Sequence, residues 1–144
     1  MGMAPPLSYA YGDGKTDVCR KLERYAHRFF AIAPLVIYAL TYFLAPAGVS
    51  CFANTASPVF PIAVSGMRIY GLGFLSSGIN IFAAVRMMAY RKGYFSGLIT
   101  FLRSFALLLL FLTILPQKLG LTGIWLAVPA AEVLTMLVAV WFLR

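Results

Sequence analysis

The sequence predicts an all-α polytopic membrane protein with about four transmembrane helices and both termini in the cytoplasm. Three observations carry this expectation. Of 144 residues, 62% are hydrophobic and 11% are charged, whereas charged residues make up about a quarter of a soluble chain. The apolar residues gather in four runs, at about 29–47, 62–89, 95–115 and 122–143, and each has about the 20 residues that a helix needs to cross a bilayer, or more. The lysines and arginines stand at the ends of those runs, mostly on one side. Two parts follow: residues 1–28 as a cytoplasmic loop and interfacial basic helix, and residues 29–144 as a four-helix membrane region. The connecting stretches are too short to hold a soluble catalytic domain.

Met1 to Thr16 is rich in Pro, Gly and small polar residues and reads as turn or loop. It has no apolar stretch of the kind a removable signal peptide carries, and Pro6 stands where a myristoylation motif needs Ser or Thr. Then DVCRKLERYAHRFF places Arg20, Lys21, Arg24 and Arg28 at helical spacing, with Val18, Leu22 and Tyr25 on a narrower apolar side. This predicts an interfacial helix. Its ordinary role is a solvated basic collar that sets orientation; lipid binding is the alternative.

The first span is uncharged, with Pro34 early in it as a possible kink. Gly48 to Pro61 contains no Lys or Arg and reads as a loop on the far side. In the second span Gly66, Tyr70, Gly73, Ser77, Asn80 and Ala84 recur in alternating steps of four and three, so small and polar groups share one stripe of a helix. That stripe is expected to face protein. Either it packs closely through the pair Gly73 and Ser77, with Asn80 bonded across the interface, or it lines a cavity.

The last two spans form a hairpin. Pro116, Gly120 and Gly123 predict a tight turn at PQKLGLTG, which leaves the two helices as antiparallel neighbours. One span carries Arg103 and the other Glu132. A charge at the centre of a membrane helix costs at least about 2.5–3.5 kcal/mol, so each needs a partner, a cavity or a task. Arg103 can snorkel to the interface, pair with Glu132 or face a cavity; an unpaired Glu132 could accept a proton. Pro129, one turn before Glu132, frees the carbonyl of Trp125 and weakens the helix beside the acid. Arg68 interrupts the second span near its start.

The charges fix an orientation. Lys15, Arg20, Lys21, Arg24 and Arg28 precede the first span, Arg86, Arg91 and Lys92 separate the second from the third, and Arg144 closes the chain on the same side. Only Lys118 lies in the opposite loops, so the positive-inside rule puts both termini in the cytoplasm. The formal net charge of +8 is therefore topological and implies no nucleic acid. Cys19 and Cys51 flank the first span, about 30 Å apart if it crosses the membrane, and neither pairs nor binds metal. His27 has no nucleophile or acid around it. Neither Gly12 to Lys15 nor Gly71-x-Gly73 has the length of a phosphate loop. No enzyme, cofactor or metal centre is expected.

Three stretches together resemble a known family. PLSYAYG at Pro6 to Gly12, RIYGLGFLSSGIN at Arg68 to Asn80 and LTGIWLAVPAAEVLT at Leu121 to Thr135 are similar, in order and spacing, to the C-terminal part of multidrug and toxic compound extrusion (MATE) transporters, where they match the end of the eighth helix, the tenth and the twelfth. The resemblance implies an inner (plasma) membrane protein whose full-length relatives have twelve helices in two lobes and exchange Na+ or H+ for cationic or amphipathic drugs by alternating access. It also implies a missing N-terminal lobe, together with any coupling acid on the first or seventh helix. The matched tenth helix contains no acid. Candidate pathway or ion-pair residues are Glu132, Arg103, Arg68, Asn80, Ser77 and Tyr70, with helix breaks at Pro129 and Pro34. The expected function is a fragment of a cation-coupled multidrug antiporter, not competent to transport alone. The rivals are a small four-helix assembly subunit without transport activity, or part of a lipid-linked saccharide flippase.

Overall fold

The computed structural model describes residues 2–143; Met1 and Arg144, the latter one of the basic charges counted above, lie outside the described residues. Seven α-helices follow one another: α1 (Ala4–Gly12), α2 (Thr16–Ser50), α3 (Val59–Gly71), α4 (Gly73–Ala89), α5 (Gly93–Phe101), α6 (Leu107–Leu119) and α7 (Leu121–Leu143), with a π-helical turn, Leu102–Ala106, between α5 and α6. α3 with α4, and α5 with α6, each make one span, so four helical stretches are long and apolar enough to cross a membrane: Thr16–Ser50, Val59–Ala89, Gly93–Leu119 and Leu121–Phe142. The protein is an all-α polytopic membrane protein, and four crossings bring its two ends to the same end of the bundle.

Several boundaries differ from the sequence-based expectation. The Pro-rich start is helical, because Pro5 and Pro6 occupy the first turn, where a missing N–H costs no ladder bond. Burial then holds α1 in place: Leu7 and Ala10 pack with Cys19 of α2 and Ala89 of α4. The division at residue 28 falls inside α2, whose 35 residues extend for about 52 Å through both Pro34 and Pro46. Cys19 and Cys51 are free, at opposite ends of this rod and about 48 Å apart by helical rise. The far-side loop shrinks to 51–58.

The second span changes its hydrogen-bond pattern at Leu72. There Leu72 N–H donates to the Ile69 carbonyl and Leu75 N–H to that of Leu72, a local tightening to three-residue turns between Gly71 and Gly73. The hairpin is tighter than its sequence suggests. α6 runs on through Pro116 to Leu119, because the proline lies in the last turn, and a single residue, Gly120, reverses the chain at φ 58°. A side chain at Gly123 would run into the Leu115 carbonyl, so both glycines are required for this closeness.

α4 is the central helix, packed against α2, α5 and α7, while α6 lies along α7 and α3 bridges α2 and α7. The contacts pair alanines with branched aliphatic side chains, as in Ala83 and Ala139 with Ile99 or Ala45 with Val49 and Val64. Large ones such as Phe43, Phe101, Leu137 and Trp141 point outward. This arrangement suits lipid as solvent: no hydrophobic gain drives helices together there, so association relies on close backbone approach.

Candidate functional site

Polar groups meet where α4, α7 and the π-helical turn converge. Arg103 Nη2 lies 2.8 Å from Glu132 Oε1, and Asn80 Nδ2 donates to Glu132 Oε2 at 2.7 Å and to the Glu132 backbone carbonyl at 2.9 Å. Asn80 is 0% exposed and Glu132 7%. Both carboxylate oxygens therefore hold a donor, which a buried charge requires. Arg103 sits in the Leu102–Ala106 turn, where the wider π coil resets the face that the helix presents, and its guanidinium reaches α7. The charge of each helix is neutralised by the other.

The remaining sequence candidates lie apart from this triad. Ser77 Oγ donates to the carbonyl of Phe74 in its own helix, and Tyr70 is 42% exposed, edge-on to Phe74 at 6.3 Å. The stripe thus faces α7 through Gly66, Gly73 and Asn80, while Tyr70 turns outward, and the pair Gly73 and Ser77 does not make the tightest contact. A Cβ at Gly66 would collide with the Trp125 indole and one at Gly78 with Pro34 and the Phe30 carbonyl, whereas Gly73 meets Pro129 at ordinary distance. Arg68 belongs to the other end of the bundle, with Nε 3.2 Å from the Tyr42 carbonyl and its guanidinium 4.6 Å from the Tyr42 ring centre.

Sequence reasoning missed three features. Ser76 and Thr135 are buried; Thr135 is one helical step beyond Glu132, a spacing that could have revealed it, and its hydroxyl donates to the Ala131 carbonyl at 2.8 Å. Trp125 Nε1 and Asn80 Oδ1 are buried without a hydrogen-bond partner among the described residues. At the end that carries both termini, Arg86 Nε pairs with Glu23 Oε1 at 2.7 Å. Beside them burial, and then the hydrogen bond and negative charge of Glu23, push the Tyr90 phenol from 10.0 up to about 12, against the opposing pull of Arg86.

Helices with charges neutralised inside and bulky apolar residues outside define a polytopic membrane helix bundle. The fold is MATE-like. The chain is similar to a solved structure, the outward-facing conformation of a multidrug resistance MATE family transporter of the MOP superfamily, with a TM-score of 0.82 over 94% of this chain. The two sequences are 19% identical, and the match covers 31% of that chain, so this protein spans about a third of its length. No family model matches the sequence, and no curated protein matches it.

Proposed function

We propose that this chain supplies four membrane helices to a cation-coupled exporter of cationic or amphipathic drugs in the inner (plasma) membrane, with its basic end in the cytoplasm. The observation that carries this reading is the superposition of nearly the whole chain on about a third of a multidrug transporter. Alternating access needs one repeat to move against another around a central site, and a four-helix piece offers only one side of such a site. The coupling ion, Na+ or H+, and the drug are held largely by parts of the machine outside these four helices. The Arg103–Glu132–Asn80 triad braces α4, α7 and the π-helical turn against one another, since a carboxylate already holding two donors is engaged. The test is drug resistance in a host stripped of its own exporters. This chain alone is expected to confer none, and resistance from it alone would overturn the proposal.

A second reading, a small assembly subunit without transport activity, is favoured by one observation: few residues in the spans of α2 and of α5–α6 are fully buried. A stable homo-oligomer in mild detergent would support it over the first.

A further inference from the structure

We propose that the cleft between α2 and α4, at the end of the bundle that carries both termini, binds an anionic phospholipid, with the phosphate among Arg20, Arg24 and Arg28 and an acyl chain in the apolar groove below them. On α2, Arg20, Arg24, His27, Ala31 and Pro34 follow steps of four and three, so they form one stripe along a single helix face. From Arg20 to Leu35 this stripe rises about 22 Å, from the membrane boundary into the hydrocarbon region. α4 runs the opposite way and repeats the order in reverse: Leu75, Ile79, Phe82, then Arg86.

The cleft has two adjoining halves. The lower is a cavity of about 520 Å³ whose lining includes Phe30, Pro34, Leu35, Leu75 and Ile79. The upper is a basic depression formed by Arg20, Glu23, Arg24, Arg28 and Arg86. His27 and Phe82 line both, their rings edge to face at 5.7 Å, so the charged half adjoins the apolar one across this ring pair. Four arginines there stand against one carboxylate. Glu23 is engaged by Arg86, while Arg20, Arg24 and Arg28 are exposed and enter no ion pair among the described residues.

This charge pattern selects the occupant. A soluble phosphate has no use for the apolar half, and an apolar membrane helix leaves the arginines unanswered. A zwitterionic lipid brings its own cation against them. An anionic lipid places its phosphate and chain in the order that the cleft offers, and basic clefts between helices at a membrane boundary suit such headgroups.

The experiment uses the full chain in nanodiscs of phosphatidylglycerol and phosphatidylcholine in equal parts, released into mild detergent, with bound lipid read by native mass spectrometry and phosphatidylglycerol affinity by titration. The unaltered protein is expected to retain phosphatidylglycerol in clear preference. Each arginine near an anionic lipid contributes about fivefold, so Arg24→Gln with Arg28→Gln should weaken phosphatidylglycerol about 25-fold and leave phosphatidylcholine unchanged. Arg91→Gln with Lys92→Gln, at the same end but off the cleft, should change neither. Ala31→Trp fills the groove and should displace the lipid while the arginines stay. Equal retention of the two lipids, a selectivity indifferent to Arg24 and Arg28, or full binding by Ala31→Trp would each overturn the proposal. A dimer that occupies the cleft and dissociates on Ala31→Trp would do the same. Circular dichroism of each variant confirms that the helices are intact.

Discussion

Arg68 supplies to α2 the hydrogen bond that Pro46 removes. In an unbroken helix the N–H of residue 46 would reach the carbonyl of residue 42, and a proline has none to give; here Arg68 Nε, from α3, donates to the Tyr42 carbonyl at 3.2 Å. The guanidinium also lies over the Tyr42 ring, which adds a cation–π attraction. This is why α2 continues to Ser50 past a residue that commonly ends a helix. Arg68→Ala should cost about 1.5 kcal/mol in this protein and markedly less in a Pro46→Ala background, where residue 46 can serve Tyr42 itself. A double-mutant cycle on unfolding in detergent measures the difference. Equal costs in the two backgrounds would exclude this exchange.

The Arg103–Glu132 pair makes an asymmetric prediction. Arg103→Gln leaves a carboxylate on a side chain that is 9% exposed, while Glu132→Gln leaves a guanidinium on one that is 22% exposed and can reach toward the interface. Breaking a buried pair from one side costs about 3–5 kcal/mol, so Arg103→Gln should lie near the top of that range and Glu132→Gln below it. Replacing both, as Arg103→Met with Glu132→Leu, removes the unpaired charge and should recover most of the loss. Thermal unfolding of the three variants in one detergent ranks them, and a double variant no better than the worse single one would contradict the pairing.

How much of this was legible follows from the kind of signal each residue leaves. The four spans were readable because hydrophobicity over 20 residues is a bulk property, while the hairpin made a pair with Glu132 only one of three outcomes open to Arg103, beside snorkelling and a cavity. Asn80 was identified as an interfacial residue, but its partner was not, since nothing local connects positions 80 and 132. Proline misled three times. Pro5 and Pro6 read as loop, Pro116 as a stop and Pro34 as a simple kink, because what a proline does depends on where the helix begins, where it ends and what receives the freed carbonyl. The stripe was legible as a protein-facing one, since Gly66, Gly73 and Asn80 do meet α7, but the tightest contacts fall at Gly66 and at Gly78 outside it, because the sequence displays small residues but not the bulky group, Trp125 or Pro34, that each one admits.

Tyr90 gives a pH dependence with a definite sign. Its phenol is neutral in the folded protein up to about 12, against 10.0 in the absence of these neighbours. Between those values the unfolded chain has lost the proton that the folded chain still binds, so stability must fall as pH rises through this window and is fully present below 10. Tyr90→Phe should flatten that part of the curve. Glu23→Gln removes the charge that opposes ionisation and should bring the phenol back toward 10, as read by the ultraviolet absorbance of tyrosinate; an unmoved titration would show that Glu23 is not a cause.

Two glycines should respond in opposite ways to the same substitution. Gly97, in α5, has nothing within 4 Å of where a Cβ would stand, whereas a Cβ at Gly78, in α4, meets the ring of Pro34 and the Phe30 carbonyl. That carbonyl is the one Pro34 leaves without its helical donor, so the bare Gly78 backbone fits against a proline and the acceptor it has freed, an arrangement in which weak C–H···O contacts recur between membrane helices. Alanine improves helix propensity by about 0.5–1 kcal/mol at either position. At Gly97 that gain should stand alone and raise the unfolding temperature. At Gly78 it is opposed by overpacking of about 1–3 kcal/mol, so Gly78→Ala should lower the unfolding temperature, and Pro34→Ala in the same chain should relieve part of the clash by clearing the ring. A stabilising Gly78→Ala would mean that α2 and α4 do not approach as closely as this contact requires.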